Sequence, residues 1–302
     1  MRKAYLESIL KNYAFPEEAA ETFRKAYAVI AANETADKLM ETHLKRYENG
    51  EDMVITPVLA DLKACAEAAG ISEFTVDFVF YLLATEQLHK LYRQRQYPED
   101  LFDGCIGDLL CKLIECKKLK DVWGTCTGPW HWGFFALRIF PLGRLQFETG
   151  AWPDRYGAYE GVRTMKPETP MVYTHIPSSG PLHVEDCIAS FKRVYAMFPE
   201  RRIDGILPIV CHSWLLDPAF REILPEQSHI RQFNELYTIV FSDPSPTFNN
   251  AWRVFYRDAE KPVNEWAEDT SLKRTIKQYL LAGNVMQTGF GIIFFDGENI
   301  IR

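Results

Sequence analysis

MVYTHIPSSGPLHVEDCIASF, residues 171–191, decides how the second half of this chain is read. MVYTHI has the composition of a strand, Pro177-Ser178-Ser179-Gly180-Pro181 is a turn, and the segment HVEDCIASFKRVYAMF from His183 repeats its apolar residues at helical spacing. The pattern continues downstream as a strand DGILPIVCHSW, a helix SHIRQFNELY and a strand TIVFSD. AWRVFYRD and GFGIIFFDG are further strand candidates, separated by a helix DTSLKRTIKQYLLAG. Upstream, HWGFFALRIF and RLQFETGAW flank Pro141-Leu142-Gly143 and predict an antiparallel hairpin. Strands alternating with helices make a mixed α/β sheet, not a sandwich.

From residue 1 to about 118 the period is helical instead, with breaks at Pro16, Asn33, Pro57, Gly70 and Pro98. The chain is therefore α+β: an all-helical domain over 1–120, then a mixed-sheet domain over 121–302. The clearest helix starts after Ser72, a candidate cap, and Phe74, Phe78, Tyr81, Leu82 and Leu88 are its core residues. His43 and His89, among charged neighbours, are expected on the surface.

A net charge of -7 without a Lys/Arg stripe excludes a nucleic-acid partner. No apolar run approaches the roughly 20 residues of a membrane span, and the N-terminal stretch, with Glu7 and Lys11 in its apolar pattern, does not read as a signal peptide. Seven cysteines without a Cys-x-x-Cys pair fit a cytoplasmic chain whose thiols pack as small hydrophobes.

Two strands, MVYTHI and ILPIVCHSW, end in His175 and His212, each followed by a turn and a helix. Ligands collect at the carboxyl ends of strands in such sheets, and an imidazole there can accept a proton near pH 7. Arg144, Gln146 and Glu148 share the polar face of their strand, which either meets solvent or lines a groove holding a polar substrate. Ser178, Ser179 and Gly180 before a helix start can cradle a phosphate. Glu185 and Asp186 in the first helical turn oppose an anion, and a corner with His183 as its helix cap accounts for the same residues. His212, Ser213 and Asp217 supply the residue types of a hydrolase triad, but no G-x-S-x-G elbow surrounds Ser213, and neighbouring strand residues point to opposite faces. His175, His183, Asp186 and His212 lack a specific metal-ligand spacing, so no metal is expected.

The element order from residue 131, with GRLQFE, THIPSSGPL and CHSWLLDP, resembles bacterial proteins that join a helical N-terminal domain to a GNAT-type acyltransferase domain. The resemblance spans essentially the whole chain. It implies acyl transfer from acetyl-coenzyme A or another acyl-coenzyme A to a small-molecule amine, with acyl-coenzyme A lying between two splayed strands. Tyr173, Ser178, Ser179 and Gly180 then fall where the cofactor binds, His175 where a base stands, and His212 across the splay where it orients the acceptor. Tyr237 matches the residue that protonates the leaving thiolate. The family's Q/R-x-x-G-x-G/A pattern is replaced here by Pro177-Ser178-Ser179-Gly180-Pro181, which leaves non-catalytic small-ligand binding as the alternative and hydrolysis as a third reading.

Overall fold

The computed structural model describes residues 2–302, and the chain divides into two compact units, Met1–Arg138 and Ile139–Arg302. The first is helical: α1 (Arg2–Asn12), α2 (Glu17–Ala32), α3 (Glu34–Glu48), α4 (Ile55–Ala69), α5 (Glu73–Gln94), α6 (Glu99–Lys120) and α7 (Gly128–Phe135). Its centre is α5, which packs against all six others. Accordingly α5 is buried on nearly every side, through Val76, Phe78, Val79, Phe80, Tyr81, Leu82 and Leu83. Ser72 precedes it in the capping position but makes no side-chain cap bond. His43 is buried rather than on the surface, and its Nε2 reaches the Asp61 carboxylate at 2.8 Å, which gives that ring nitrogen a partner at the edge of the packing. Among the described residues, no single helix is long and apolar enough to cross a membrane.

The segment HWGFFALRIF, a strand by its pattern, is mostly α7. Pro129 sits in the first helical turn, where a missing N–H is tolerated, and Tyr81 Oη donates to Gly128 O at 2.5 Å to fix the helix start on α5. Residues 121–138 thus pack with the helices: Thr75 Oγ1 donates to Trp123 O and Thr125 N to Phe74 O, both at 2.9 Å. Sheet structure starts at Ile139, not near residue 121.

The second unit contains β1 (Ile139–Pro141), β2 (Gln146–Ala151), a small hairpin of β3 (Tyr159–Glu160) and β4 (Thr164–Met165), β5 (Pro170–His175), α8 (Val184–Met197), β6 (Leu207–Ser213), α9 (Phe220–Ile223), α10 (His229–Leu236), β7 (Thr238–Pro244), α11 (Trp252–Phe255), α12 (Ser271–Leu281), β8 (Gln287–Phe295) and β9 (Ile300–Ile301). AWRVFYRD forms no strand; it is α11 and a following 3-10 turn over Tyr256–Glu260, with Val254 and Phe255 turned into an apolar cluster around Trp266 and Ile276. The main sheet runs β1-β2-β5-β6-β8-β7, with β9 also beside β8. Every neighbouring pair is antiparallel except β5 and β6, which α8 connects in parallel.

Side chains alternate across this sheet. Phe191 on α8 and Phe233 on α10 cover one face and are fully buried, each contributing about 1.5–3 kcal/mol. Trp152, Tyr156, Met165 and Phe290 form the cluster on the other.

Candidate active site

Pairing between β5 and β6 is confined to Val172 with Ile209 and Tyr173 with Val210. Both strands continue further, β5 to His175 on its β2 side and β6 to Ser213 on its β8 side. Held by their outer neighbours and released from each other, they fork apart at their carboxyl ends. The sequence could show two histidines at two strand ends; the register places both at one fork.

Period-two alternation gives the fork two chemistries. On the helix-covered face, Tyr237 Oη donates to Thr174 Oγ1 at 3.1 Å, and the Tyr237 ring packs edge-on against Phe191. Its neighbour on that face is Cys211, whose thiol is pushed up by full burial. Gly291 of β8 makes room for the phenol, since a Cβ there would stand 2.9 Å from Tyr237 Cβ and from Leu216 Cδ1. Burial raises Tyr237 well above its usual value of 10. That modifies the acid role expected of it: the phenol holds its proton strongly and is suited to donating a hydrogen bond.

On the opposite face stand His175, His212 and Tyr173. His175 Nε2 lies 3.3 Å from Glu148 Oε2, so Glu148 orients this imidazole. Gln146 sits directly across from His175 in register and is 2% exposed, so the polar side of β2 does not meet solvent there. Tyr173 packs over Gly150, where an added Cβ would come within 2.6 Å of its ring. His212 rests near Phe290, with ring centroids 6.2 Å apart. His212 is exposed at the end of its strand; the partial desolvation it does feel, and next the charge of Arg155, shift its pKa down from the ordinary 6.5.

The loop after β5 leads into α8, and Gly180 adopts φ +113, a conformation other residues rarely take. Arg144 binds three carbonyls of this loop, those of Pro177, Gly180 and Pro181. His183 occupies the N-cap position of α8 without a cap bond; its ring packs edge-on against His229, centroids 4.3 Å apart. The hydrolase set is not assembled. Ser213 Oγ accepts from Leu215 N at 3.1 Å as a helix cap, and the Asp217 carboxylate accepts from Ala219 N at 2.9 Å and Gln287 N at 2.6 Å. Those bonds commit Ser213 and Asp217 to the backbone. Among the described residues no group of His, Cys, Asp and Glu could hold a metal ion. Sequence reasoning missed Thr174 and the loop contacts of Arg144, because each acts through a partner distant in the chain.

A mixed sheet forked between two parallel strands, with helices after each, is the architecture of the GNAT-type acyltransferases. The chain belongs to that group: residues 139–293 match the GNAT-like C-terminal domain family, and residues 4–137 match the N-acyltransferase N-terminal domain. Among solved structures, an acyltransferase in complex with decanoyl-CoA and teicoplanin is 21% identical, with a TM-score of 0.71 covering 96% of this chain and 87% of that one. An acyltransferase mutant in complex with octanoyl-CoA gives the same four values. A further acyltransferase structure with decanoyl-CoA is 20% identical, with a TM-score of 0.64, covering 92% of this chain and 99% of the other. No curated protein matches the chain.

Proposed function

We propose that this protein transfers an acyl group from acyl-coenzyme A directly to an amine of a small-molecule acceptor. The observation that carries this reading is the fork, with a hydroxyl pair, Tyr237 and Thr174, on its helix-covered face and two imidazoles on the other. Its family membership and the acyl-CoA complexes of its structural neighbours support the donor; the teicoplanin complex supports an acceptor distinct from coenzyme A.

In the proposed reaction the thioester lies in the fork with its carbonyl on backbone N–H at the end of β5. The acceptor nitrogen attacks the carbonyl carbon, a C–N bond forms, and the C–S bond breaks. His175, oriented by Glu148, takes the proton lost from nitrogen, and His212 accepts a hydrogen bond from the acceptor. Thr174, backed by Tyr237, donates a hydrogen bond to the departing sulfur, which is finally protonated from solvent. Ser178, Ser179 and Gly180 hold the pyrophosphate. Acyl-CoA offered with and without small amines should release free thiol only when both are present. The acids Glu185 and Asp186, exposed at the start of α8, favour a second reading, ligand binding without turnover. Binding with no thiol release from any acyl-CoA and amine pair would select it.

A further inference from the structure

The loop after β5 has a single glycine in place of the family's Q/R-x-x-G-x-G/A pattern, and two acids follow it, so something else must prepare it for an anion. Arg144, in the turn between β1 and β2, donates through Nε to Pro181 O at 2.8 Å, through Nη1 to Pro177 O at 3.1 Å and through Nη2 to Gly180 O at 2.7 Å. No peptide bond in the described residues is cis. In a trans peptide the N–H points opposite to the C=O. Binding Pro177 O therefore turns the Ser178 N–H away from the guanidinium, and binding Pro181 O turns the Leu182 N–H away likewise. The third carbonyl, Gly180 O, precedes Pro181 and so has no N–H behind it; the φ of +113 at Gly180 is part of the geometry that brings it inward. Three acceptors that would repel an anion are gathered on one cation, and two donors face the other way.

The clamp is itself anchored. Leu145 N donates to Ser190 Oγ at 3.3 Å, and Ser190 Oγ donates to Asp186 O at 2.9 Å, so the turn carrying Arg144 is fixed to the helix that the loop enters. The planar guanidinium reaches these three carbonyls from three separate nitrogens, and a lysine ammonium, with its three donors on one nitrogen, does not reproduce that spread.

We infer that Arg144 is a positioning residue that presets the loop over 177–182 to accept the pyrophosphate of acyl-CoA, its fixed charge offsetting Glu185 and Asp186. Arg144 stands behind the loop and does not touch the ligand. This inference rests on the acyl-CoA reading above and goes beyond it by assigning the pre-organisation to a residue outside the loop.

The test compares the full chain with Arg144→Gln, Arg144→Lys and Gly180→Ala, measuring affinity calorimetrically for decanoyl-CoA and for the decanoyl thioester of pantetheine, which has no pyrophosphate. Both arginine variants should bind decanoyl-CoA about tenfold to a hundredfold more weakly, the size of lost charge-assisted hydrogen bonds, with unchanged affinity for the pantetheine thioester. Gly180→Ala, which strains the loop without removing a charge, should show the same selective loss and keeps the test open where an arginine variant fails to fold. In turnover, KM for acyl-CoA should rise while kcat is kept. Equal decanoyl-CoA affinity in folded variants, or equal loss of both ligands, overturns the role of Arg144 alone. A wild-type protein that binds neither ligand overturns the acyl-CoA reading, and this inference with it.

Discussion

At the scale of single residues, His175 and Thr174 are consecutive and so face opposite sides of β5, which puts the proposed proton removal and the proposed sulfur stabilisation on different faces of the fork. Replacing Tyr237 with Phe leaves Thr174 without its donor and should lower kcat by about tenfold to a hundredfold, at about 1.4 kcal/mol per decade. Unchanged turnover in Tyr237→Phe would remove the phenol from the mechanism. His175→Gln should lower kcat/KM by about a hundredfold to ten-thousandfold, the usual share of a general base. Steady-state turnover of the variant checks this; an unchanged kcat/KM assigns the base elsewhere. The histidines were legible because a strand ending in His before a turn is a local pattern. Thr174 was not, since a threonine in a strand is ordinary and its partner Tyr237 lies 63 residues away. Arg144 likewise looked like one more polar strand residue; its three acceptors lie 33 to 37 residues downstream.

At the scale of elements, helical spacing located α8, α10 and α12 by their one apolar face, and strand composition located β2, β5, β6, β7 and β8, of which β6 and β8 are continuous apolar runs buried on both faces. The pattern failed at α7, where Trp132, Phe134 and Phe135 are all buried and an all-apolar run carries no period. His131 in α7 is fully buried, its Nε2 2.9 Å from Thr125 Oγ1 and its Nδ1 3.8 Å from Asp108, with the Lys112–Glu115 pair nearby. Burial, and next the Lys112 charge, lower its pKa to about 3. The folded state therefore keeps this ring neutral while the unfolded chain protonates it below its ordinary value of 6.5. Stability supplied by His131 is present above that value and declines by about 1.4 kcal/mol per pH unit as pH falls towards the folded pKa. Denaturant titrations between pH 7 and 4 should show this decline, reduced in His131→Gln; the same slope in both proteins would refute it. In the sheet, a Cβ on Gly289 would stand 2.1 Å from Leu216 O, in the turn that follows β6. Gly289→Ala should cost at least about 1–3 kcal/mol, read as a lower urea midpoint, because backbone has to move. A midpoint equal to wild type would show that the turn yields freely.

For the whole molecule, the change from helical to strand periodicity announced two architectures, while their border at Arg138 and Ile139 was hidden because α7 continues the helical unit beneath a strand-like composition. Net charge works against a polyanionic ligand: at -7 the protein repels acyl-CoA at long range, so recognition has to come from short-range donors, the role proposed for the loop that Arg144 holds. Short-range binding to the folded state alone appears as stability. A ligand at 100 times its dissociation constant adds about 2.7 kcal/mol, and for a unit of this size that raises Tm by about 5–10 °C. Melting the protein with coenzyme A, acetyl-CoA and decanoyl-CoA at matched ionic strength should therefore give a shift for at least one of them. A shift with coenzyme A itself places the main contacts on the nucleotide and pantetheine parts. A shift that appears only with decanoyl-CoA assigns the surplus to burial of the acyl chain, at about 0.8 kcal/mol per buried methylene. With no shift from any of the three, the fork would be an acyltransferase architecture without its donor, and ligand binding of another kind would be the function to pursue.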